Sequence, residues 1–195
     1  MENKKLSVPV ACHLILMGIL CVLSIVSAFI IFSGQVPEGY GVTNSTAHQT
    51  QTYIVGAGHL LNVLALICGM YYMLRGAGKN VAVVYKSFLL LVMLGLVMRL
   101  IGRFVFPGFD VAAALMIGSI LMLMILTFGK DLGKTNTWIA FYILLVLDLV
   151  VAILMFDSRE ALSSIASGLT RLVLDGSIGI AIAAKYKDKA SRGKK

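Results

Sequence analysis

Six long apolar segments dominate the sequence and leave it few ways to fold. A helix needs roughly 20 mostly apolar residues to cross the hydrocarbon core of a bilayer. The segments that meet this requirement cover 10–33, 52–74, 81–104, 111–128, 137–156 and 161–184. Hydrophobic side chains make up 59% of the 195 residues and charged ones only 13%, a composition foreign to water-soluble domains. The sequence therefore predicts an all-α integral membrane protein with six transmembrane helices and short loops, forming one polytopic membrane domain over 1–195.

Positive charges are concentrated at one end of these predicted helices. Thirteen Lys and Arg flank the spans on the side of the two termini, whereas the opposite loops hold Arg159 alone, with Arg103 at their border. Because Lys and Arg beside a span keep that end in the cytoplasm, both termini are predicted to be cytoplasmic, with 185–195 as a basic cytoplasmic tail. In a bacterial host the membrane would be the plasma membrane. The first segment is longer than the about 7–15 apolar residues of a signal peptide, so we expect a retained span.

Ionisable and amide side chains occur within several of the spans. Such groups are costly at bilayer depth and usually face protein or water, so they are candidates for a functional site. We assign these candidates to spans 2, 3, 5 and 6, which are predicted to surround the interior, while span 4 is predicted to face mostly lipid. The candidate ligand-binding residues are His59, Asn62, Arg99, Arg103, Asp148, Arg171 and Asp175.

Span 6 carries small and polar residues at helical spacing. Ser164, Gly168, Arg171, Asp175 and Gly179 follow one another at intervals of three or four residues, which places them on one face of a helix. A stripe of small residues is typical of a transmembrane helix that packs closely against its neighbours. Span 6 is therefore predicted to lie at the centre of the bundle.

The candidate charges fall in the half of the spans away from the termini, where two arrangements are open. Asp148 could face Arg171, or Asp175 could pair with Arg171 one helical turn away. Either pair could be purely structural, and Arg103 could extend to the headgroups. In each arrangement Arg99 is left with only His59 or a ligand as a partner, and a guanidinium group at this depth favours an anion, which it can bind through two hydrogen bonds.

These features support one main functional hypothesis and two alternatives. The main hypothesis is a protein that binds or transports a small anionic solute in an outward-facing pocket, beneath the polar loop 34–51. The first alternative is a structural or assembly subunit whose intramembrane charges pair with the helices of a partner membrane subunit. The second is an intramembrane enzyme, for which the sequence offers no Ser/His pair at helical spacing and no His-Glu-x-x-His motif.

The remaining residue patterns indicate no cofactor. Cys12, Cys21 and Cys68 lie within spans and lack the spacing of metal ligands, so no metal site is predicted. The net charge of +8 is spread over short segments between spans, which argues against nucleic acid as a partner. The lipid bilayer is the partner that the sequence requires.

Overall fold

The chain folds into six long helices. The computed structural model describes residues 8–33, 46–75, 81–105, 109–129, 132–156, 158 and 161–192. The helices are α1 (Val8–Phe32), α2 (Thr46–Arg75), α3 (Val81–Val105), α4 (Val111–Phe128), α5 (Lys134–Leu154) and α6 (Ala161–Arg192). Each is long and apolar enough to cross a membrane, which confirms the predicted all-α, multi-pass integral membrane protein. The cytoplasmic position of the termini stays a prediction.

Two helices extend beyond the spans expected from hydropathy. α2 begins at Thr46, inside the stretch predicted as the polar loop 34–51, and residues 34–45 lie outside the described part of the chain. α6 continues to Arg192, so most of the predicted basic tail is helical. Hydropathy marks only the apolar part of a helix, because polar turns at a helix end form the same backbone hydrogen bonds.

Consecutive helices pack side by side in antiparallel pairs. The ring of Phe32 at the end of α1 meets that of Tyr53 near the start of α2, with centroids 6.3 Å apart. At the opposite end, the rings of Tyr72 in α2 and Tyr85 in α3 lie 5.6 Å apart. We call the end at which α1, α3 and α5 finish the distal end, and the end that holds the start of α1 the terminal end.

α6 lies toward the centre of the bundle, as its stripe of small residues predicts. It contacts α5, closes the ring against α1, and also touches α2 and α3. Glycines permit two of these approaches. A Cβ atom on Gly179 would lie 2.8 Å from the Phe141 ring, and one on Gly176 would lie 2.9 Å from the His13 ring, so neither position accepts a side chain without movement of its neighbour.

Apolar side chains cover the outside of the bundle and polar ones occur inside it. Exposed residues include Ile19, Leu121 and Val146, as expected of helices that face lipid. The buried polar residues are Ser24, Ser119, Thr127, Thr137, Asp148, Thr170, Arg171, Asp175 and Ser177. Because lipid is as apolar as leucine, close packing and these internal polar contacts have to hold the helices together.

Spans 1 and 4 contribute more to the interior than the sequence predicts. α4 exposes Leu121 on one face but buries Ala113, Met116, Ser119 and others on the opposite face, so it is only half lipid-facing. Ser119 gave little indication that span 4 faces the interior, because serine is small and common in transmembrane helices. α1 brings His13, whose Nε2 lies 3.0 Å from Ser177 Oγ of α6.

Candidate functional site

A buried ion pair connects α5 and α6. Arg171 Nε donates a hydrogen bond of 2.6 Å to Asp148 Oδ2, and the two residues are only 8% and 2% exposed. From α4, Ser119 Oγ donates a second bond of 2.6 Å to Asp148 Oδ1. The carboxylate of Asp148 therefore links three helices, and each of its oxygens has a donor, as a buried charge requires.

A second carboxyl group lies beside this pair. Asp175 follows Arg171 by one helical turn, is 0% exposed, and interacts electrostatically with both Arg171 and Asp148. Among the described residues, neither of its oxygens receives a hydrogen bond when both acids are ionised. Its side chain is nevertheless within hydrogen-bonding reach of Asp148, and such a bond exists only if one carboxyl carries a proton. Both acids therefore interact electrostatically with Arg171, but only Asp148 is hydrogen-bonded to it.

The other side of Arg171 faces a small pocket between α2, α3 and α6. Arg171 Nη2 is buried and has no hydrogen-bond acceptor in the described part of the chain. Arg99 reaches the same pocket from α3, and its Nη2 donates to Ser167 Oγ. The pocket is lined by Asn62, Gly95, Leu96, Arg99, Ser167, Arg171 and Leu174. Two guanidinium groups, an amide and a hydroxyl therefore converge on one space.

The pocket is small and lies in the distal half of the bundle. Its cavity volume is about 10 Å³, close to the minimum that holds one water molecule. Arg99 precedes the end of α3 by six residues, which corresponds to about 9 Å of helix. A Cβ atom on Gly95 would lie 3.2 Å from Asn62 Oδ1, so this glycine leaves room for the amide at the pocket wall.

The charges around the pocket are arranged asymmetrically. Arg99 and Arg171 line it, and they are close enough for their like charges to interact. Asp148 and Asp175 do not line it; both interact with Arg171 from outside the pocket. The space between the helices therefore presents positive charge and hydrogen-bond donors, with the compensating acids behind Arg171. At low dielectric, such an arrangement attracts an anion.

The structure describes the side chains of six of the seven residues predicted as a site, and these six fall into three groups. The pocket is lined by Asn62, Arg99 and Arg171. The two acids, Asp148 and Asp175, interact with Arg171 from outside the pocket. His59 is half-buried on α2, near enough to Arg99 for electrostatic interaction, but it does not line the pocket. The side chain of Arg103 lies outside the described residues.

Sequence reasoning missed two serines of this site. Ser119 binds Asp148 and Ser167 binds Arg99. Ser167 had a usable signal, because it precedes Arg171 by four residues and so shares its helix face. Ser119 had no comparable signal, since no charged residue lies near it in span 4. Among the described residues, no cluster of three His, Cys, Asp or Glu side chains is placed to hold a metal ion.

Comparison with known proteins adds no relative. No protein family, no curated protein and no solved structure matches this chain. Its chemistry therefore has to be argued from its own residues.

Proposed function

We propose that this integral membrane protein binds a small anion in the pocket between α2, α3 and α6, as a step in moving that anion across the membrane. The observation that carries the proposal is Arg171, which lines the pocket and whose buried Nη2 has no acceptor among the described residues. A buried donor left without a partner costs about 1–3 kcal/mol, more when it is charged. An anion in the pocket would remove that cost and would accept from Arg99 as well.

The geometry of the pocket indicates the size of its ligand. A volume of about 10 Å³ is close to the minimum for one water, which favours the smallest anions, such as chloride or formate. Each of these needs the contact between Arg99 and Ser167 to open, and a larger carboxylate or a phosphate needs it to open further. Guanidinium groups bind planar carboxylates through two parallel hydrogen bonds, which favours formate and related small carboxylates over a spherical ion.

The orientation of the site follows from the charge bias of the sequence. With both termini in the cytoplasm, the distal end faces outward and the pocket is reached from the outer side. The N-terminal part of α2 would then lie on the outer side of the membrane, at the distal end. This orientation is part of the proposal.

The alternative of an assembly subunit is less well supported by the position of the charges. Asp148, Arg171 and Asp175 are buried within this chain and interact with one another, so they are not offered to a partner helix. What favours the alternative is the connection from Ser119 through Asp148 to Arg171, which would stabilise the bundle without any ligand. The two functions differ in whether an anion binds.

Ligand-induced stabilisation tests the proposal. Purified protein in mild detergent is heated with increasing chloride, formate or inorganic phosphate, at ionic strength held constant with a bulky anion. A ligand that binds only the folded protein raises the stability by about 2.7 kcal/mol at 100 times its Kd. We expect the wild type to show a saturable rise in Tm with at least one small anion.

Two variants complete the test. Arg99→Gln should fold but lose the rise in Tm, because glutamine retains hydrogen bonding and lacks the charge. The matched control is Lys86→Gln, which removes an exposed cation on the same helix and should retain the rise. Absence of any anion effect in the wild type, or an undiminished effect in Arg99→Gln, would overturn the proposed site and favour the structural alternative. Uptake of the same anion into proteoliposomes then reports movement.

A further inference from the structure

The carboxyl group of Asp175 is buried in a setting that does not suit a negative charge. It is 0% exposed, and neither of its oxygens receives a hydrogen bond from the described residues. An ionised carboxylate without donors is more expensive to bury than its neutral form, which favours uptake of a proton, whereas a nearby cation opposes it. Among the described residues the cation that interacts with Asp175 is Arg171, which already donates its Nε to Asp148.

A proton on Asp175 would allow this residue to donate a hydrogen bond to the neighbouring Asp148. Each oxygen of Asp148 accepts one hydrogen bond and retains a further lone pair. A protonated Asp175 can therefore donate to Asp148, within whose hydrogen-bonding reach it lies. Close acid pairs that share one proton occur because two adjacent carboxylates cannot both ionise cheaply. The proton would satisfy Asp175 and keep Asp148 available to Arg171.

The charges of the site balance either without an anion or with one anion and one proton. With Arg99, Arg171, Asp148 and Asp175 all ionised, the sum is zero and the pocket is without an anion. A monovalent anion added to this state would leave one uncompensated negative charge at bilayer depth, which is costly. If Asp175 takes up a proton, the site gains one positive charge and the anion restores neutrality.

We propose that Asp175 is a proton-binding site and that its protonation is coupled to anion binding through Arg171. One proton from solution adds to the Asp175 carboxylate as one anion enters the pocket, and both leave together, so atoms and charge balance. Arg171 transmits the coupling because its Nε donates to Asp148 while the residue also lines the pocket and has an unpartnered Nη2. This inference rests on the proposed anion site and adds the ion that accompanies the solute.

Other titratable groups near α6 have to be distinguished from Asp175. α1 contributes His13, which contacts Ser177; α2 contributes His59, near Arg99; and α3 contributes Arg99 itself. From α5 comes Asp148, and the contribution of α4 among the described residues is the uncharged Ser119. Of these groups, the two histidines are the ones whose unperturbed pKa lies near neutral pH. They therefore serve as control positions.

Calorimetry measures the coupling directly. Chloride and formate are titrated into the detergent-solubilised protein in two buffers of different ionisation enthalpy, over a series of pH values. If one proton binds with each anion, the observed enthalpy differs between the buffers, and the affinity falls about tenfold for each pH unit above the titration of Asp175. Asp175→Asn should bind the anion with the same affinity at every pH and take up no proton. His13→Gln and His59→Gln should retain the pH dependence of the wild type.

The possible results separate this inference from the proposed function. Anion binding without proton uptake in the wild type, or an unchanged pH dependence in Asp175→Asn, overturns the coupling and leaves the anion site intact. If the wild type binds neither anion, the proposed function and the coupling both fail. The infrared C=O band of a protonated carboxyl reports the proton directly: it should grow in the wild type when the anion is added, and its absence from the anion-bound protein refutes the coupling. If Asp175→Asn does not fold, the infrared band of the wild type still tests whether the carboxyl group takes up a proton.

Discussion

The ion pair between Asp148 and Arg171 should be coupled strongly enough to measure in unfolding. Asp148→Asn can keep both hydrogen bonds, because an amide oxygen can accept from Arg171 Nε while the amide nitrogen donates to Ser119 Oγ. The substitution removes the negative charge that strengthens these two hydrogen bonds. Hydrogen bonds to charged groups contribute about 1.5–3 kcal/mol and neutral ones about 0.5–1.5, so we expect a loss of about 2 kcal/mol in the free energy of unfolding.

Arg171→Gln should cost more, because it leaves two buried acids without a cation. Breaking a buried pair by removing one partner costs about 3–5 kcal/mol, and protonation of the acids should keep this loss near the lower value. The double variant places two amides opposite each other, where they can hydrogen-bond without charge. We expect its total loss to be about 3 kcal/mol, which is roughly 2 kcal/mol less than the sum of the single losses.

The assay uses the single tryptophan of the chain. Trp138 packs edge-to-face on Phe141, with ring centroids 5.6 Å apart, so its fluorescence reports on the interior of the bundle. Unfolding is followed in mixed micelles of a mild detergent with increasing dodecyl sulfate. Asp148→Asn combined with Thr137→Val is the control, since the two positions lie about 16 Å apart along α5 and should act additively. Additive losses for Asp148 and Arg171, within about 0.5 kcal/mol, would refute the pair.

Three further predictions concern other parts of the molecule. Cysteine-accessibility labelling should mark position 42 from outside and position 79 from inside, as the charge bias requires; labelling of both positions from the same side would contradict the predicted topology. Gly179→Ala should lower the free energy of unfolding by about 1–3 kcal/mol because its Cβ would overlap an aromatic ring, whereas Gly168→Ala, 3.5 Å from Ala152, should fit; equal thermal stabilities would contradict the packing. Asp110→Ala should cost about 0.5–2 kcal/mol, because Asp110 Oδ1 accepts from Ala113 N at 2.9 Å; an unchanged denaturation curve would show that this cap is dispensable.

The spans were readable from the sequence because the bilayer imposes a simple rule. A chain in hydrocarbon has to satisfy its backbone hydrogen bonds within each segment, so length and apolarity alone identify the helices. The pairing of Asp148 with Arg171 was also within reach, since a buried acid requires a cation at similar depth. Sequence spacing could not decide between Asp148 and Asp175 as the partner of Arg171. That choice depends on the rotation of α5 about its axis, which packing sets.

The contributions of α1 and α4 were harder to predict for a related reason. Ser119 and His13 are accompanied in their helices only by hydroxyl residues such as Thr127 and Ser24, which are common in transmembrane helices and do not establish a face. Their roles depend on which helix lies opposite, and the order of six helices around a bundle is a property of packing, not of hydropathy. The position of Gly176 against His13 becomes meaningful only once the ring closes from α6 to α1.

The hydrogen-bond partners of Asp148 bear on the order in which the helices are synthesised and inserted into the membrane. One of its partners, Ser119, precedes it in the chain, and the other, Arg171, follows it. A ribosome that makes the chain from the N-terminus delivers α5 before α6 exists, so the acid reaches the bilayer before its cation. An ionised aspartate costs up to about 2.5–3.5 kcal/mol on insertion scales, the value for a helix centre. Protonation of the carboxyl group, or pairing of α5 with α6 before both enter the lipid, would remove this cost.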